Sequence, residues 1–259
     1  MKQIADAHHA EIRAVATSAV REATNSKLFL QRAKREVGIT VEVISGNEEA
    51  RLIHLGVQHS LAFGTESVLT VDIGGGSTEF CVSTKGRLRI AQSVKVGAVR
   101  LTDAFLPDGD SEESGVRRLR AHVASVIAPL AHEIREMGFS RVVLSSGTSE
   151  TIARLVAHER GGRLPQSMNG FSFSKSDFAA VMRKIMGTTN LRSRQELPGM
   201  DSKRSDIIVA GGVILDEISK ALRIDSFEFS EYALREGVLV DAAQKKGLLQ
   251  NDAVDAGLG

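Results

Sequence analysis

Apolar and polar positions along the chain alternate between two periods, short runs near two and longer stretches near the helical repeat. Residues 13–17 and 40–44 predict strands. Between them residues 18–37 follow the helical period, with a break at Asn25-Ser26 and a stop at Gly38. Residues 46–61 predict a helix carrying Leu52, Leu55, Val57 and Leu61. An apolar strand over 67–73 runs into Gly74-Gly75-Gly76, and 79–83 and 88–96 follow as strands around a Lys85-Gly86 turn, an antiparallel meander. After a loop at 107–110, residues 111–137 predict a long helix. Glu112 and Glu113 sit in its first turn, Val116, Leu119, Val123, Ile127, Leu130 and Ile134 form one stripe, and Pro129 is expected to bend it. Residues 142–144 predict a buried strand leading through Ser145-Ser146-Gly147-Thr148 into a helix. Then come a loop (161–170), a helix (178–186), an irregular crossing (187–200), a helix (206–222), a strand (227–229) and a final helix (232–245). Gly211-Gly212 lies inside a helix, where each glycine costs about 1 kcal/mol against alanine, so a close backbone approach is expected there. The alternation predicts an α/β class. A break near 62–66 would divide the chain into a first lobe, 1–64, and a second, 65–259, with the final helix packing back on the first.

Composition narrows the function. The 259 residues hold 33 Lys plus Arg against 32 Asp plus Glu, so no global field draws in a nucleic-acid polymer or a membrane. A polyanion would need local basic contacts. Cys81 is the single cysteine, so no intramolecular disulfide forms, which fits a reducing compartment. Asp6, His8, His9 and Glu11 interrupt any signal core, and no apolar run reaches spanning length. A soluble cytoplasmic protein is expected.

The sharpest chemical signal is Asp72-Ile-Gly-Gly-Gly-Ser-Thr-Glu79 at a strand end. Gly74, Gly75 and Gly76 let backbone N–H groups converge on an anion, and Ser77 and Thr78 add hydroxyl donors. Asp72 and Glu79 repel bare phosphate but can hold a divalent cation that bridges to it. A plain glycine hairpin with solvated acids rarely combines all of these. A dinucleotide fingerprint would want glycine where Glu79 stands, and the Gly-Lys of a P-loop occurs nowhere. Gly147 and Thr148, between a strand and a helix, form a weaker second anion turn. Glu48 and Glu49 open a third helix. They either favour its dipole or supply a general base, and spacing alone does not choose. The histidines lack a ligand-like grouping.

Taken in order, Val15-Ala-Thr-Ser-Ala-Val-Arg-Glu22, Ile44-Ser-Gly-Asn-Glu-Glu-Ala-Arg51, Asp72 to Glu79, Val96-Gly-Ala-Val-Arg-Leu101, Ser146-Gly-Thr and Leu234-Arg-Glu-Gly237 resemble the exopolyphosphatase / guanosine pentaphosphate phosphatase family. The resemblance implies a two-lobed fold of the sugar kinase, chaperone and actin superfamily (ribonuclease H-like) with the site in the cleft. It implies Mg2+-dependent removal of terminal phosphate from polyphosphate, or of the 5′-γ-phosphate of guanosine pentaphosphate. By position, Glu49 matches the catalytic glutamate, with Glu48 as second choice. Asp72 and Glu79 match the metal-associated acids, Gly74 to Ser77 the phosphate loop, Gly147 and Thr148 the facing loop, and Arg21 and Arg204 the basic contacts. A homodimer is an assembly the family adopts.

The resemblance also implies an opening phosphate loop, which nothing in residues 1–10 matches, and, since the C-terminal helical region of longer members does not follow Leu249, descent from the short, two-domain branch. The first lobe is therefore expected to be incomplete, with Val15 and the apolar residues of 40–44 against a partial core. A weak or dead fragment that binds polyphosphate or a nucleotide, or pairs with another chain, is the first rival reading, and a kinase or ATPase of the same superfamily the second.

Overall fold

The computed structural model describes residues 2–107, 112–161, 164–188 and 190–249. The loop expected at 107–110 and the helix start at 111 fall largely outside them, as do two residues of the 161–170 loop. Helix α1 (Lys2–Ala7) precedes β1 (Val15–Ala16), α2 (Ser18–Glu22), α3 (Ser26–Val37) and β2 (Glu42–Val43). β1 and β2 pair in parallel as a two-stranded sheet, shorter than the periodicity suggested because Thr17 already caps α2. Gly38 closes α3 in the left-handed region at φ 67°, which glycine adopts without steric cost.

The core expected to be partial beside β2 is covered at Ile44, while Val15, Val41 and Val43 stay half-buried. Ile44 is buried with Leu52 and Val238, and Val15 and Leu234 pack against them. Exposed apolar side chains of this part include Leu28, Phe29 and Val37 on α3, with Ile4 and Ile12 before it.

Next come α4 (Gly46–Ser60), β3 (Ser67–Ile73), β4 (Thr78–Thr84), β5 (Arg87–Val94), α5 (Ala98–Phe105), α6 (Glu113–Met137), β6 (Arg141–Ser145) and α7 (Ser146–Glu159). The chain ends with β7 (Phe171–Ser174), α8 (Lys175–Gly187), α9 (Leu191–Gln195), α10 (Ile208–Leu222), β8 (Ser226–Phe229) and α11 (Leu234–Lys245). Six strands form one mixed sheet in the order β5-β4-β3-β6-β8-β7. The meander β3-β4-β5 is antiparallel, β6 joins β3 and β8 in parallel, and β7 joins β8 antiparallel.

Four elements escaped the sequence reading: α1, α5, β7 and α9. Each has eight residues or fewer, too short for a period to show. The α6 stripe from Val116 to Ile134 is buried, and the helix runs through Pro129 without interruption. Gly211 and Gly212 are crowded as expected: an added Cβ would meet Thr148 Cγ2 at 2.4 Å and Met182 Sδ at 2.3 Å.

Strand alternation sorts the sheet into two faces. Leu69, Val71 and Ile73 of β3 and Phe80 and Val82 of β4 enter the large core under α6, α7 and α10. Val68 and Val143 face α4, packing with Ile53 and Val57. On that second face His54 Nδ1 lies 3.1 Å from Thr70 Oγ1, and Cys81 Sγ donates to the Ala50 carbonyl at 3.1 Å. Period two therefore aims Asp72 and Glu79 at α4 as well. α11 is pressed on α4 through two glycines, since a Cβ on Gly237 would stand 1.8 Å from the Leu52 carbonyl oxygen and one on Gly56 2.5 Å from that of Ala233. No described helix is long and apolar enough to cross a membrane.

Buried His54 has its pKa pushed down to about 4 by desolvation. The unfolded chain takes its proton near the ordinary value of about 6.5, so native stability is lost as pH falls from there toward 4. Replacing His54 with Leu is expected to remove on the order of 3 kcal/mol of that acid dependence. Denaturant unfolding from pH 7 to 4 measures it, and parallel curves for the two proteins would show the histidine uncoupled from folding.

Candidate active site

Four neighbouring strands present one polar row. Register pairs Asp72 with Glu79, Asp72 with Ser145, and Glu79 with Ser93, so Ser145, Asp72, Glu79 and Ser93 lie side by side across β6, β3, β4 and β5. The outer serines serve the inner acids: Ser145 Oγ donates to Asp72 Oδ2 and Ser93 Oγ to Glu79 Oε1, each at 2.7 Å. Above the row, α4 brings in Glu49, whose Oε2 lies 3.3 Å from Arg21 Nη1; the same nitrogen donates to the Ile44 carbonyl at 2.8 Å.

All three carboxylates are buried, at 7% (Glu49), 5% (Asp72) and 2% (Glu79) exposed. Burial raises the pKa of each. Glu79 is pushed up to about 8 by desolvation and then by the charges of Asp72 and Glu49. Asp72 rises through burial against the opposing pull of Ser145, Ser146 and Arg204. Glu49 rises through burial, opposed by Arg21. Such a group of self-repelling acids is stable when protons or a cation neutralise it. Among the described residues no three His, Cys, Asp or Glu side chains stand close enough to hold a metal by themselves.

The glycine turn is shaped from behind by α5. Ala98 N–H donates to the Gly74 carbonyl at 2.9 Å, and Val99 and Arg100 N–H both donate to that of Gly75 at 3.0 Å. Arg100 Nε donates to the Gly76 carbonyl at 2.8 Å. In a trans peptide the C=O and the next N–H point in opposite directions. With three carbonyls turned toward α5, the N–H groups of Gly75, Gly76 and Ser77 point away from it, and none makes a backbone bond within the described residues. They form an anion nest. Gly97 makes the approach feasible, since a Cβ there would lie 2.3–2.5 Å from backbone atoms of Gly75, Gly76 and Ser77.

The facing turn joins β6 to α7. Ser146 takes φ 65°, a strained value for a non-glycine residue, and its Oγ donates to the Ile73 carbonyl at 3.1 Å. The Arg204 guanidinium lies over Gly147, 2.1 Å from where a Cβ would stand, and is 3.7 Å from Asp201.

Three expected contacts are placed differently. The Thr78 hydroxyl donates to the Val96 carbonyl, because alternation puts Thr78 on the core face with Phe80. Thr148 is buried with its methyl on Gly211, leaving its backbone toward the turn. Glu48, about 100° around α4 from Glu49, binds Arg51 at 2.8 and 2.7 Å; Arg51 in turn reaches Asp241 on α11. Ser93, Ser145 and Arg100 are the site residues missed. Arg100 lay within the ordered Val96–Leu101 motif, the one signal that could have marked it.

The model of the Ppx/GppA phosphatase family matches residues 1–246. The chain belongs to this family. It is 33% identical over 235 residues to Exopolyphosphatase 1 of Mycobacterium tuberculosis, spanning 89% of this chain and 67% of that protein. The crystal structure of an exopolyphosphatase from Cytophaga hutchinsonii gives a TM-score of 0.85 at 30% identity, covering 96% of this chain and 79% of the other. The Aquifex aeolicus Ppx/GppA family member gives 0.79 at 30% identity, covering 95% and 78%. The α/β fold with its mixed sheet is thus a Ppx/GppA fold, and the converging motifs belong to a family of phosphatases.

A substitution at the tightest glycine tests the nest. Gly97→Ala is expected to destabilise the protein by about 2–3 kcal/mol, since its Cβ meets backbone that cannot rotate away. Urea unfolding measures this. A variant as stable as the parent would show that the turn yields freely.

Proposed function

We propose that the chain hydrolyses phosphoanhydrides, releasing terminal phosphate from inorganic polyphosphate, and that the 5′-γ-phosphate of guanosine pentaphosphate fits the same chemistry. The observation that carries the reading is the placement of Glu49, a buried carboxylate beside Arg21 and within electrostatic reach of Asp72 and Glu79, the two acids that flank the glycine turn. Named relatives in the family are exopolyphosphatases, which supports polyphosphate as the first substrate to test.

In this reading Glu49 accepts a proton from water as the water oxygen attacks the terminal phosphorus. The bond from that phosphorus to the bridging oxygen breaks, and the shortened chain leaves with the bridging oxygen's electron pair. A base with a raised pKa suits this step near neutral pH. Arg21 orients Glu49 and offsets part of its burial. The nest N–H groups and the turn at Gly147 hold phosphate oxygens where negative charge grows. Asp72 and Glu79 fit a divalent cation, because among the described residues neither buried acid makes an ion pair, and the more distant charge of Arg204 only partly opposes the burial of Asp72. Asp72 and Glu79 would hold such an ion, and Mg2+ bound there would supply positive charge to the transferred group.

Glu49→Gln is expected to lower kcat by about 10²-fold or more while the protein stays folded, whereas Glu48→Gln stays within about threefold of the parent. Phosphate release from polyphosphate measures both. A loss confined to Glu48→Gln would assign the base to the wrong acid. Chelation of divalent ions is expected to abolish release and added Mg2+ to restore it, and Asp72→Asn to raise the Mg2+ needed for half-maximal rate about tenfold or more. Full activity in chelator would remove the metal from the mechanism.

A further inference from the structure

The three carbonyls behind the nest are not held alike. Those of Gly74 and Gly75 accept from backbone N–H groups of α5, which the helix fixes. That of Gly76 accepts from the side chain of Arg100, at 2.8 Å. The orientation of the Gly76–Ser77 peptide, and so of the Ser77 N–H, therefore depends on where one guanidinium is held. Glu22 holds it: Arg100 Nη2 donates to Glu22 Oε2 at 3.0 Å. Glu22 is itself fixed by Ser18 Oγ at 3.0 Å and Lys95 Nζ at 3.2 Å. Buried Ser18 touches the same glycine, its Oγ 2.5 Å from where a Cβ on Gly76 would stand.

Glu22 ends α2, a helix of five residues, and the residue before it is Arg21, which grips Glu49. One short helix thus touches both the acid that faces water and the peptide that faces phosphate. Cavities of about 340 Å3 and 580 Å3 open on either side of the clasp. The first is lined by Arg21, Ser77 and Lys95, the second by Ala23, Gly75 and Val99. Glu22 and Arg100 are 28% and 37% exposed, and pairs this open add little to stability.

We propose that Glu22 and Arg100 are positioning residues for the reaction. Their ion pair sets the distance between the Ser77 N–H, where charge grows on the phosphoryl group, and the Arg21–Glu49 pair, where water is activated. The inference rests on the hydrolase reading. It requires the pair to act as a unit, since losing either member frees the Gly76 peptide.

Glu22→Gln, Arg100→Gln, the double variant and Arg100→Lys test it with polyphosphate and Mg2+. Each single change is expected to lower kcat about tenfold with KM altered less than about threefold, the pattern of misplaced groups in the transition state. The double variant is expected to fall no lower than the worse single one. Arg100→Lys is expected not to recover activity, because one ammonium does not span Gly76 and Glu22 as a planar fork does. Melting temperatures stay within about 3 °C of the parent, as for other open ion pairs. Additive losses, unchanged kcat in either single variant, or recovery by lysine would overturn the proposal. If Arg100→Gln does not fold, Glu22→Gln decides alone by its kcat, because it releases the Arg100 guanidinium from its anchor without deleting the group that bonds the Gly76 carbonyl. Failure of the hydrolase reading shows separately, as a parent protein that releases no phosphate. Calorimetry with inorganic tripolyphosphate then runs the same cycle, each single variant weakening binding about fivefold and the double no further. Equal affinities, or no binding by the parent, would sink the clasp as well.

Discussion

Everything around the site answers to one constraint: three carboxylates, Glu49, Asp72 and Glu79, share a buried space and repel one another. Antiparallel pairing of Asp72 with Glu79 forces two of them onto one face, and α4 lowers the third onto it. Their negative charge is expensive to desolvate unless something neutralises it. Ser145 and Ser93 supply hydrogen bonds, and Arg21 supplies one positive charge. What remains is negative charge that protons or a bound cation would neutralise.

Close backbone contact is the second theme. Gly97 against the glycine turn, Gly147 under Arg204 and Gly237 on the Leu52 carbonyl each leave no room for a Cβ. The first orients free N–H groups, the second brings a guanidinium to a helix start, and the third presses α11 onto the helix that carries Glu49. In the proposed reading, anion recognition is built largely from main chain, which explains why so few side chains announce it.

Glu48 and Glu49 illustrate how a helix separates equal residues. One step of about 100° sends Glu48 to Arg51 at the rim and buries Glu49 beside Arg21. The same step lets the rim pair help tie α4 to α11 through Asp241 while its neighbour stays available for chemistry.

Long periodic elements were legible before folding: the buried stripe of α6, the meander β3-β4-β5, and the stop at Gly38. So was the cluster of Asp72, Glu79 and three glycines, because alternation and turn chemistry are local properties. Long-range pairing decided the rest. Ser145 joined Asp72 only when β6 paired with β3, 73 residues apart in sequence. Arg100 reached Gly76 only once Gly97 let α5 close in, and Thr78 lost its phosphate-facing role to the same strand alternation that aimed its neighbour Glu79 inward. Local patterning determined which residue types stood ready at the glycine turn. Tertiary packing chose among them, because burial, strand register and the rotation of one helix are set by partners far along the chain.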